Sequence, residues 1–416
     1  MPIESPIEAN NRTYQAPIAP AVVICLDGCE PAYLDAAISA GLMPHLERIR
    51  QSGTDCLAHS VIPSFTNPNN LSIATGQPPR VHGICGNYLF DPETQEEVMM
   101  NDVRFLWVPT VFRRFQQAGA KVAIVTAKDK LRALLGAGLE FEEAGACCFS
   151  AEKSDSSTQS EHGMDKASEW LGMAQPEVYS ADLSEFVFAA GVKLLEERRP
   201  DLMYLTTTDY VQHKHAPGDP DANSFYEMFD KYLGQLDEMG AVIVTTADHG
   251  MKPKHKADGS PDVIYAQEVL DGLCGKGNSR VILPITDPYV VHHGALGSFA
   301  TAYLPADADT DSIIASLAAI DGMLEVVSKA DAVERFDLPE DRIGDIVMIS
   351  GENKVIGTSE EGHDLAALKE PLRSHGGLTE QVVPFIVNRK IDIPDEPQLR
   401  NFDAIYYSTT AASVKV

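Results

Sequence analysis

Two adjacent metal-ligand side chains follow a short apolar run in the middle of the chain. Asp248 and His249 come one residue after the run 241–246, and Gly250 follows them. Such a run is typical of a buried strand, and a carboxylate and an imidazole at its carboxyl end can bind a divalent cation. Asp-His-Gly is also an ordinary turn sequence, so this motif alone leaves both interpretations open.

Two other apolar runs lead to carboxylates in the same way. Asp27 follows the run 21–26, and Asp209 follows the run 201–206. His213 comes four residues after Asp209, so on a helical turn the two side chains share a face and can bind one ion. Taken alone, Asp27 before a glycine is more typical of a turn.

The segment 62–76 contains a hydroxyl group where an anion could bind. Pro68 suits the first turn of a helix, and Thr66 and Asn67 are candidate N-cap residues. Free N–H groups at a helix N-terminus attract anions, so Thr66 is either a nucleophile at a phosphate site or only a capping residue. Asn87, in a later glycine-punctuated loop, could donate to a bound oxyanion or simply turn the chain.

Basic side chains follow another predicted strand, the run 121–126. Lys128 and Lys130 come just after it. Lysines are usually solvated surface charges, but at the ligand-binding edge of a sheet they favour an anionic substrate. His375, in a Ser-His-Gly-Gly loop, is a further candidate ligand, and His215 could also reach a bound substrate.

The elements that must position these side chains alternate between strands and helices. Helical periodicity predicts helices over 31–51, 108–118, 181–199 and 223–239, and the run 381–387 closes the sheet. We therefore predict an α/β fold with a mostly parallel central sheet sandwiched by helices. In such a sheet, ligands gather beyond the carboxyl ends of the strands, so these individually weak motifs converge on one edge.

The character of the chain changes after the Asp-His-Gly motif. Short apolar runs and one helical segment predict a small α+β cap insertion over residues 255–370. Residues 1–254 and 371–416 would then form the metal-binding catalytic core. His292 and His293 fall in the insertion, and we expect them at its surface.

Composition restricts the class of partner. The chain is 44% hydrophobic and 23% charged, and its formal net charge of −28 argues against nucleic acid or an anionic membrane. Seven scattered cysteines without a CxxC pair are typical of free thiols in a reducing compartment. Residues 1–20 resemble an extended arm rather than a signal peptide, and no run of about 18 apolar residues predicts a membrane span. We expect a cytoplasmic protein.

The sequence resembles the alkaline phosphatase superfamily, and in particular its nucleotide pyrophosphatase/phosphodiesterase-like branch with a threonine nucleophile. The matching stretches are VVICLDGC, PSFTNPNNLSIATG, GICGNY, VTAKDKLRALLG, LTTTDYVQHKH, VTTADHGM and SHGG. Within that branch, the AKDK stretch and the length favour the phosphonoacetate hydrolase family. The resemblance implies two Zn²⁺ per chain, with Mn²⁺ or Fe²⁺ as less favoured alternatives. One ion would be held by Asp209, His213 and His375, and the other by Asp27, Asp248, His249 and Thr66 Oγ.

The resemblance also implies a reaction. Thr66, activated by a divalent cation, would attack the phosphorus of phosphonoacetate, acetate would leave, and water would hydrolyse the phosphothreonine to give phosphate. Asn87 would donate to the developing charge. Lys128 and Lys130 would bind the substrate carboxylate, into which the charge of the carbanion leaving group can delocalise.

Other functions remain as alternatives. A nucleotide pyrophosphatase or phosphodiesterase could use the same two metals, but it would need an aromatic slot for a base. The sequence is only 7% aromatic, and Trp107 and Trp170 lie far from the motifs. A phosphoglycerate mutase type is less favoured because the nucleophile is threonine rather than serine. A non-catalytic metal-binding protein would not need Thr66. The expected partner is a small anionic phosphonate, and the oligomeric state is open between a monomer and a homodimer.

Overall fold

The computed structural model describes residues 3, 5–91, 93–141, 145–287 and 294–414, so His292 and His293 lie outside the described residues. The strands, in chain order, are β1 (Ile7–Ala9), β2 (Arg12–Tyr14), β3 (Ala21–Cys25), β4 (Thr54–His59), β5 (Tyr88–Asp91), β6 (Glu96–Met99), β7 (Val122–Thr126), β8 (Ala146–Ser150), β9 (Leu202–Thr206), β10 (Val242–Thr246), β11 (Lys252–Pro253), β12 (Val263–Tyr265), β13 (Arg280–Ile282), β14 (Phe299–Tyr303), β15 (Met323–Ser328), β16 (Ile346–Ser350), β17 (Val355–Gly357), β18 (Arg373–Ser374) and β19 (Val382–Val387).

Helices connect and cover these strands. They are α1 (Pro31–Ser39), α2 (Pro44–Ser52), α3 (Thr66–Thr75), α4 (Pro79–His82), α5 (Val111–Gln117), α6 (Asp129–Leu135), α7 (Gln159–His162), α8 (Ala167–Leu171), α9 (Asp182–Glu197), α10 (Pro220–Glu238), α11 (Ala266–Cys274), α12 (Thr310–Ala318), α13 (Lys329–Phe336) and α14 (Ala404–Ala412). Within the described ranges, none of them is long and apolar enough to cross a membrane.

Seven strands form the central sheet, in the order β4-β19-β10-β3-β9-β7-β8. The pairs from β10 to β8 are all parallel, whereas β19 runs antiparallel to both of its neighbours. All five residues of β3, β7, β9 and β10 are buried, as expected for a sheet covered on both faces. Helix α9 packs against β7 and β9, α10 against β10, and α14 against β3 and β10. The predicted fold class is confirmed.

The strands that precede the predicted site end at one level. Cys25, the last residue of β3, is paired with Thr206 of β9 and with Thr246 of β10. Thr126 of β7 is paired with Thr206 as well. The loops that follow these four strands carry the predicted carboxylates and lysines, so they leave the sheet side by side.

Two local predictions are wrong. The segment 31–51 forms two helices rather than one, because the chain turns at Gly41, with φ of +75°, and restarts with proline at Pro44. The arm expected over residues 1–20 contains the antiparallel hairpin β1-β2. The Tyr14 side chain of this hairpin is fully buried and contacts Phe115 edge-on, which anchors the hairpin to the helical layer.

The region 255–370 contains a sheet of its own. This antiparallel sheet has the order β13-β14-β16-β15, and the short pair β11-β18 joins the chain just before and just after the region. Phe65, directly before α3, packs edge-on against Phe299 of β14. Buried apolar residues of this region, such as Phe299 and Ile349, share one contiguous core with the central sheet, whereas Leu296 and Val355 belong to a small separate cluster. The division into a catalytic core and a cap stays a prediction.

Candidate metal centre

Two groups of carboxylate and imidazole side chains meet at the carboxyl edge of the sheet. In each group, ligand atoms of all three members lie within 4.8 Å of one another. The first group is Asp27, Asp248 and His249, and the second group is Asp209, His213 and His375. Both sets match the division that the sequence resemblance implies.

The first group contains two buried polar atoms without a hydrogen-bond partner. Asp27 Oδ1 and His249 Nε2 lie 3.3 Å apart, yet neither makes a hydrogen bond. His249 Nδ1 lies 2.9 Å from Gly250 O, which fixes the tautomer with the proton on Nδ1 and directs the Nε2 lone pair at the carboxylates. Leaving such atoms buried and unpaired is costly, so this donor set fits a divalent cation.

The second group is arranged in a similar way. Asp209 Oδ2 lies 2.9 Å from His213 Nε2 and 3.6 Å from His375 Nε2. His213 Nδ1 lies 2.7 Å from Arg373 O, and His375 Nδ1 lies 2.8 Å from Ser64 O. Because each Nδ1–H is held by a backbone carbonyl, each Nε2 is left to face Asp209, which is the usual orientation of metal-binding imidazoles.

A close backbone approach brings the two groups together. Gly28, which follows Asp27, has a φ of +70°. A Cβ atom at this position would lie 2.9 Å from Asp209 Cβ, closer than side-chain atoms can approach. Glycine therefore allows the loop after β3 to lie against the loop after β9.

Negative charge accumulates where the two groups meet. Burial, followed by the charges of Asp209 and Asp248, raises the pKa of Asp27 well above its ordinary value. Burial opposes ionisation of Asp209, but His213 and His375 hold the pKa of Asp209 well below its ordinary value. Three converging carboxylates without a cation cannot all remain ionised easily, so this electrostatic arrangement also favours bound cations.

Thr66 lies at the start of a helix, at the entrance to this centre. Phe65 is the N-cap of α3 and Thr66 is its first helical residue, so the predicted capping role of Thr66 is wrong by one position. The Thr66 side chain is half-buried and lines a cavity of about 340 Å³. Asn87 lines the same cavity, and its Oδ1 accepts from the Asn67 N–H at 3.2 Å, which orients the amide.

This cavity brings most of the predicted site residues together. Asp248 and His249 are fully buried and are not among the residues that line it. The predicted residues that do line it are Asp27, Thr66, Asn87, Lys128, Lys130, Asp209, His213 and His375.

The two lysines are held by the cavity wall. Lys130 Nζ lies 2.9 and 2.8 Å from the two carboxylate oxygens of Asp287. Lys128 Nζ donates to Val178 O at 2.7 Å and lies 5.1 Å from the centre of the Tyr179 ring. Burial lowers the pKa of Lys128. No sequence pattern points to Asp287, because it lies in the inserted region and far from any motif.

His215 lies apart from the other predicted site residues. His215 is not among the residues that line the cavity. Its Nε2 instead lies 3.5 Å from Asp221 Oδ2, and both residues line a separate pocket. The chain makes a helical turn here, with the His213 N–H bonded to Asp209 O. Side chains two apart on such a turn face different directions, so His215 turns away from the site that His213 faces.

Two residues that support the ligands were missed. Arg373 donates to Gln212 O at 2.9 Å and to Met251 O at 3.2 Å, which joins the loops that follow β9 and β10. Asn70, one turn after Thr66 on α3, donates to Asp248 Oδ2 at 3.1 Å. The signal for Asn70 was its helical spacing of four residues from Thr66, whereas nothing in the sequence pointed to Arg373.

Comparison with known proteins identifies the family. The family model of type I phosphodiesterase / nucleotide pyrophosphatase matches residues 21–378. The chain belongs to this family. It is thus a member of the alkaline phosphatase superfamily, as predicted, and of a metal-dependent branch of it.

Similar proteins range from nearly full-length matches to matches of the fold alone. The crystal structure of phosphonoacetate hydrolase from Sinorhizobium meliloti 1021 in complex with phosphonoacetate is 69% identical, with a TM-score of 0.96, covering 99% of this chain and 100% of that chain. A second structure of that protein contains phosphonoformate and is 70% identical.

Two more distant relatives support the family and the fold. An uncharacterized pyrophosphatase/phosphodiesterase of Schizosaccharomyces pombe is 25% identical over 56% of this chain, and the match spans 44% of that relative's length. Murine ectonucleotide pyrophosphatase/phosphodiesterase 5 is 17% identical, with a TM-score of 0.63 over 95% of both chains. The murine match establishes a shared fold.

Proposed function

We propose that this protein hydrolyses the carbon–phosphorus bond of phosphonoacetate to give acetate and phosphate. The observation that carries the proposal is its 69% identity, over the full length, to the phosphonoacetate hydrolase of Sinorhizobium meliloti. The cavity supports it independently, because its lining includes members of both ligand groups and the two lysines. A molecule with a phosphonate at one end and a carboxylate at the other is complementary to such a lining.

The proposal assigns one divalent ion to each ligand group, with Zn²⁺ preferred for the mixed imidazole and carboxylate donors. Such ions, when bound, would lower the pKa of the Thr66 hydroxyl and neutralise phosphonate oxygens. The orphaned atoms Asp27 Oδ1 and His249 Nε2 support this assignment for the first ion.

Thr66 is the proposed nucleophile. Its position at the first residue of α3 puts it at the positive end of the helix dipole, which favours an anionic phosphonate. Thr66 Oγ forms the new bond to phosphorus as the P–C bond breaks. The Asn87 amide, whose oxygen is engaged by the Asn67 N–H, has its NH₂ group available to donate to the developing charge.

Lys128 and Lys130 are the proposed carboxylate-binding groups. When the P–C bond breaks, the electron pair passes to the carbon and delocalises into the neighbouring carboxylate. An ammonium group beside that carboxylate stabilises the added negative charge, and protonation of the carbon completes acetate. Water then hydrolyses the phosphothreonine, which releases phosphate and regenerates the Thr66 hydroxyl.

The inserted region is proposed to act as a cap over this cavity. Ile285 and Asp287, both within residues 255–370, line the cavity together with residues of the central domain. The cap therefore contributes to the shape and the charge of the site.

Hydrolysis of phosphodiesters is the second candidate function. The family match favours it, and Tyr179, whose ring lies 6.4 Å from that of Tyr210, offers an aromatic surface at the cavity. The two functions differ in what the part of the cavity that carries Lys128, Lys130 and Tyr179 must bind. A phosphodiesterase needs a surface for an organic group, whereas phosphonoacetate needs cations.

A substrate panel tests the proposal. Protein reconstituted with Zn²⁺, Mn²⁺ or Fe²⁺ is incubated with phosphonoacetate and, separately, with bis(4-nitrophenyl) phosphate. We expect equimolar acetate and phosphate from phosphonoacetate and a much lower kcat/KM for the diester. A preference for the diester would support the second candidate, and no release of phosphate from phosphonoacetate with any of the metals would reject the first.

A further inference from the structure

The ammonium group of Lys130 already has a carboxylate partner from another part of the chain. Both oxygens of Asp287 lie within 2.9 Å of Lys130 Nζ, and the two residues are 157 positions apart. Lys130 is in α6, next to the central sheet, whereas Asp287 is in the inserted region. Both line the cavity, and the Asp287 side chain is largely buried, so this ion pair is part of the site.

The two lysines have carboxylates beside them in the cavity lining. Among the described residues that line the cavity, Glu152 and Asp287 are carboxylates whose charges act on Lys128. The two carboxylates differ in their bonding. Glu152 accepts from the Asp129 N–H at 2.8 Å, which anchors it at the start of α6. Asp287 instead accepts directly from the Lys130 ammonium group. Asp287 therefore occupies the position on Lys130 that a substrate carboxylate would need.

We propose that Asp287 is a specificity-determining residue, which acts as an internal carboxylate that an incoming ligand carboxylate must displace from Lys130. The proposal rests on the proposed function only in that Lys130 binds the ligand carboxylate. Binding at Lys130 is then an exchange of one carboxylate for another on the same ammonium group. A ligand with no carboxylate leaves the ion pair intact, and a carboxylate in a poor position cannot displace it.

The exchange predicts the direction in which ligand affinity changes when Asp287 loses its charge. Removing the charge of Asp287 removes a carboxylate that competes for Lys130 and repels the ligand carboxylate, so ligands with a carboxylate should bind more tightly. If Asp287 instead only orients Lys130, its removal should weaken the same ligands. The two roles therefore predict opposite changes in the affinity for a ligand with a carboxylate, relative to the affinity for a ligand that has only the phosphate-like group.

The test is calorimetric titration of the zinc-loaded protein and its Asp287→Asn variant. One probe is phosphonoformate, which carries a carboxylate, and the other is inorganic phosphate, which does not. We expect the ratio of the phosphate Kd to the phosphonoformate Kd to rise about tenfold in the variant, the size of one charged hydrogen bond. An unchanged or lower ratio would overturn the proposal.

Two further variants isolate the ion pair. In a Lys130→Met background, Asp287→Asn should leave the ratio unchanged, because the group that exchanges its partner is gone. A rise in that background would mean a general charge effect and would also overturn the proposal. Asp262→Asn is the matched control, since Asp262 pairs with Lys354 in the same inserted region at 2.9 Å and does not line the cavity. Its ratio should equal that of the wild type.

The measurement separates this inference from the proposed function. If the wild type does not release phosphate from phosphonoacetate, the proposed function fails, while the binding ratio still decides the role of Asp287. If phosphonoformate does not bind to the wild type, the role of Asp287 fails as well.

Discussion

Asn70 Nδ2 donates to Asp248 Oδ2 at 3.1 Å, and the same NH₂ group donates to Thr66 O at 3.0 Å. The amide oxygen accepts from Tyr204 OH at 2.7 Å and from Thr206 Oγ1 at 3.0 Å. One fully buried side chain thus joins the helix of the proposed nucleophile, a proposed metal ligand and strand β9. The four bonds use the full hydrogen-bonding capacity of the amide.

Asn70→Ala should weaken metal binding without touching a ligand. The substitution removes the donor to Asp248 Oδ2, leaving this carboxylate held only through Oδ1 by backbone N–H groups, and removes the partners of two buried hydroxyl groups. We expect a loss of about 10- to 100-fold in the affinity of one of the two metal sites, measured by competition with a chromogenic chelator. Asn278→Ala, in the loop after α11, is the control. Equal affinities in the two variants would contradict the positioning role.

Thr66→Ala should separate metal binding from turnover. If Thr66 forms the covalent intermediate, its loss should lower kcat by at least ~10³-fold, while the two ligand groups still bind metal. Turnover is measured as phosphate release, and metal content by elemental analysis. Thr66→Ser keeps a hydroxyl and should retain measurable activity. Robust turnover by the alanine variant would exclude the phosphothreonine.

Lys128→Ala and Lys130→Ala should affect carboxylate-bearing substrates selectively. Each lysine is proposed to make a charge-assisted bond to the carboxylate, so kcat/KM for phosphonoacetate should fall about 10- to 100-fold. Hydrolysis of 4-nitrophenyl phosphate, which has no carboxylate, should fall much less. Lys166→Ala alters a lysine that pairs with Glu169 on the surface and serves as the control. Similar losses with both substrates would reject the carboxylate-binding role.

Removal of metal should lower stability as well as activity. Asp27, Asp209 and Asp248 converge in a buried site, so the chelated protein retains their mutual repulsion and loses the binding energy of the cations. We expect a lower Tm after dialysis against a chelator and its recovery on adding Zn²⁺, measured by differential scanning calorimetry. The Asp27→Asn variant lacks one of these charges. After chelation, the metal-free variant should therefore be more stable than the metal-free wild type. A Tm unaffected by chelation would contradict metal binding.

His82 should make stability depend on pH in the acidic range. Its Nδ1 accepts from the Ile84 N–H at 3.1 Å and its Nε2 lies 2.9 Å from Ser72 Oγ, so the fold holds it neutral. Burial, followed by the charge of Arg342, lowers the pKa of His82 to about 3. The unfolded chain binds the proton more readily, so this stabilisation is complete above the unfolded pKa of ~6.5 and is lost as the pH falls toward the folded pKa.

Between pH 7 and pH 4, the titration of His82 should lower the free energy of unfolding by roughly 3 kcal/mol. It is measured as the difference in the free energy of unfolding by guanidinium at the two values. His82→Gln removes the titrating group, so its stability should change less with pH than that of the wild type, whatever its stability at pH 7. An identical pH dependence of the two proteins would contradict this assignment.

The sequence pointed to candidate ligands that the structure brings together, because their signals are local. Asp248 and His249 come one residue after a buried strand, and Asp209 and His213 are spaced for one helical turn. Parallel pairing then aligns the strand ends, so a pattern that each strand carries independently becomes one site. The family resemblance added the grouping of the ligands, which is the grouping that the structure has.

Local signals failed where the outcome depends on the direction of a side chain or on a break in a helix. His215 belongs to the same motif as His213, yet it pairs with Asp221. Side chains two positions apart on a helical turn point in different directions. The periodicity of 31–51 ran through Gly41, and only the turn at that glycine divides it into α1 and α2.

The sequence by itself determined which residue types line the carboxyl edge of the sheet, since strand, carboxylate and imidazole are neighbours along the chain. Only the tertiary structure decided what those residues contact. Asn70 and Asp248 are 178 positions apart, and Lys130 and Asp287 are 157 positions apart. No periodicity or motif connects residues at such separations, because their contact depends on how the helices and the inserted region pack against the sheet.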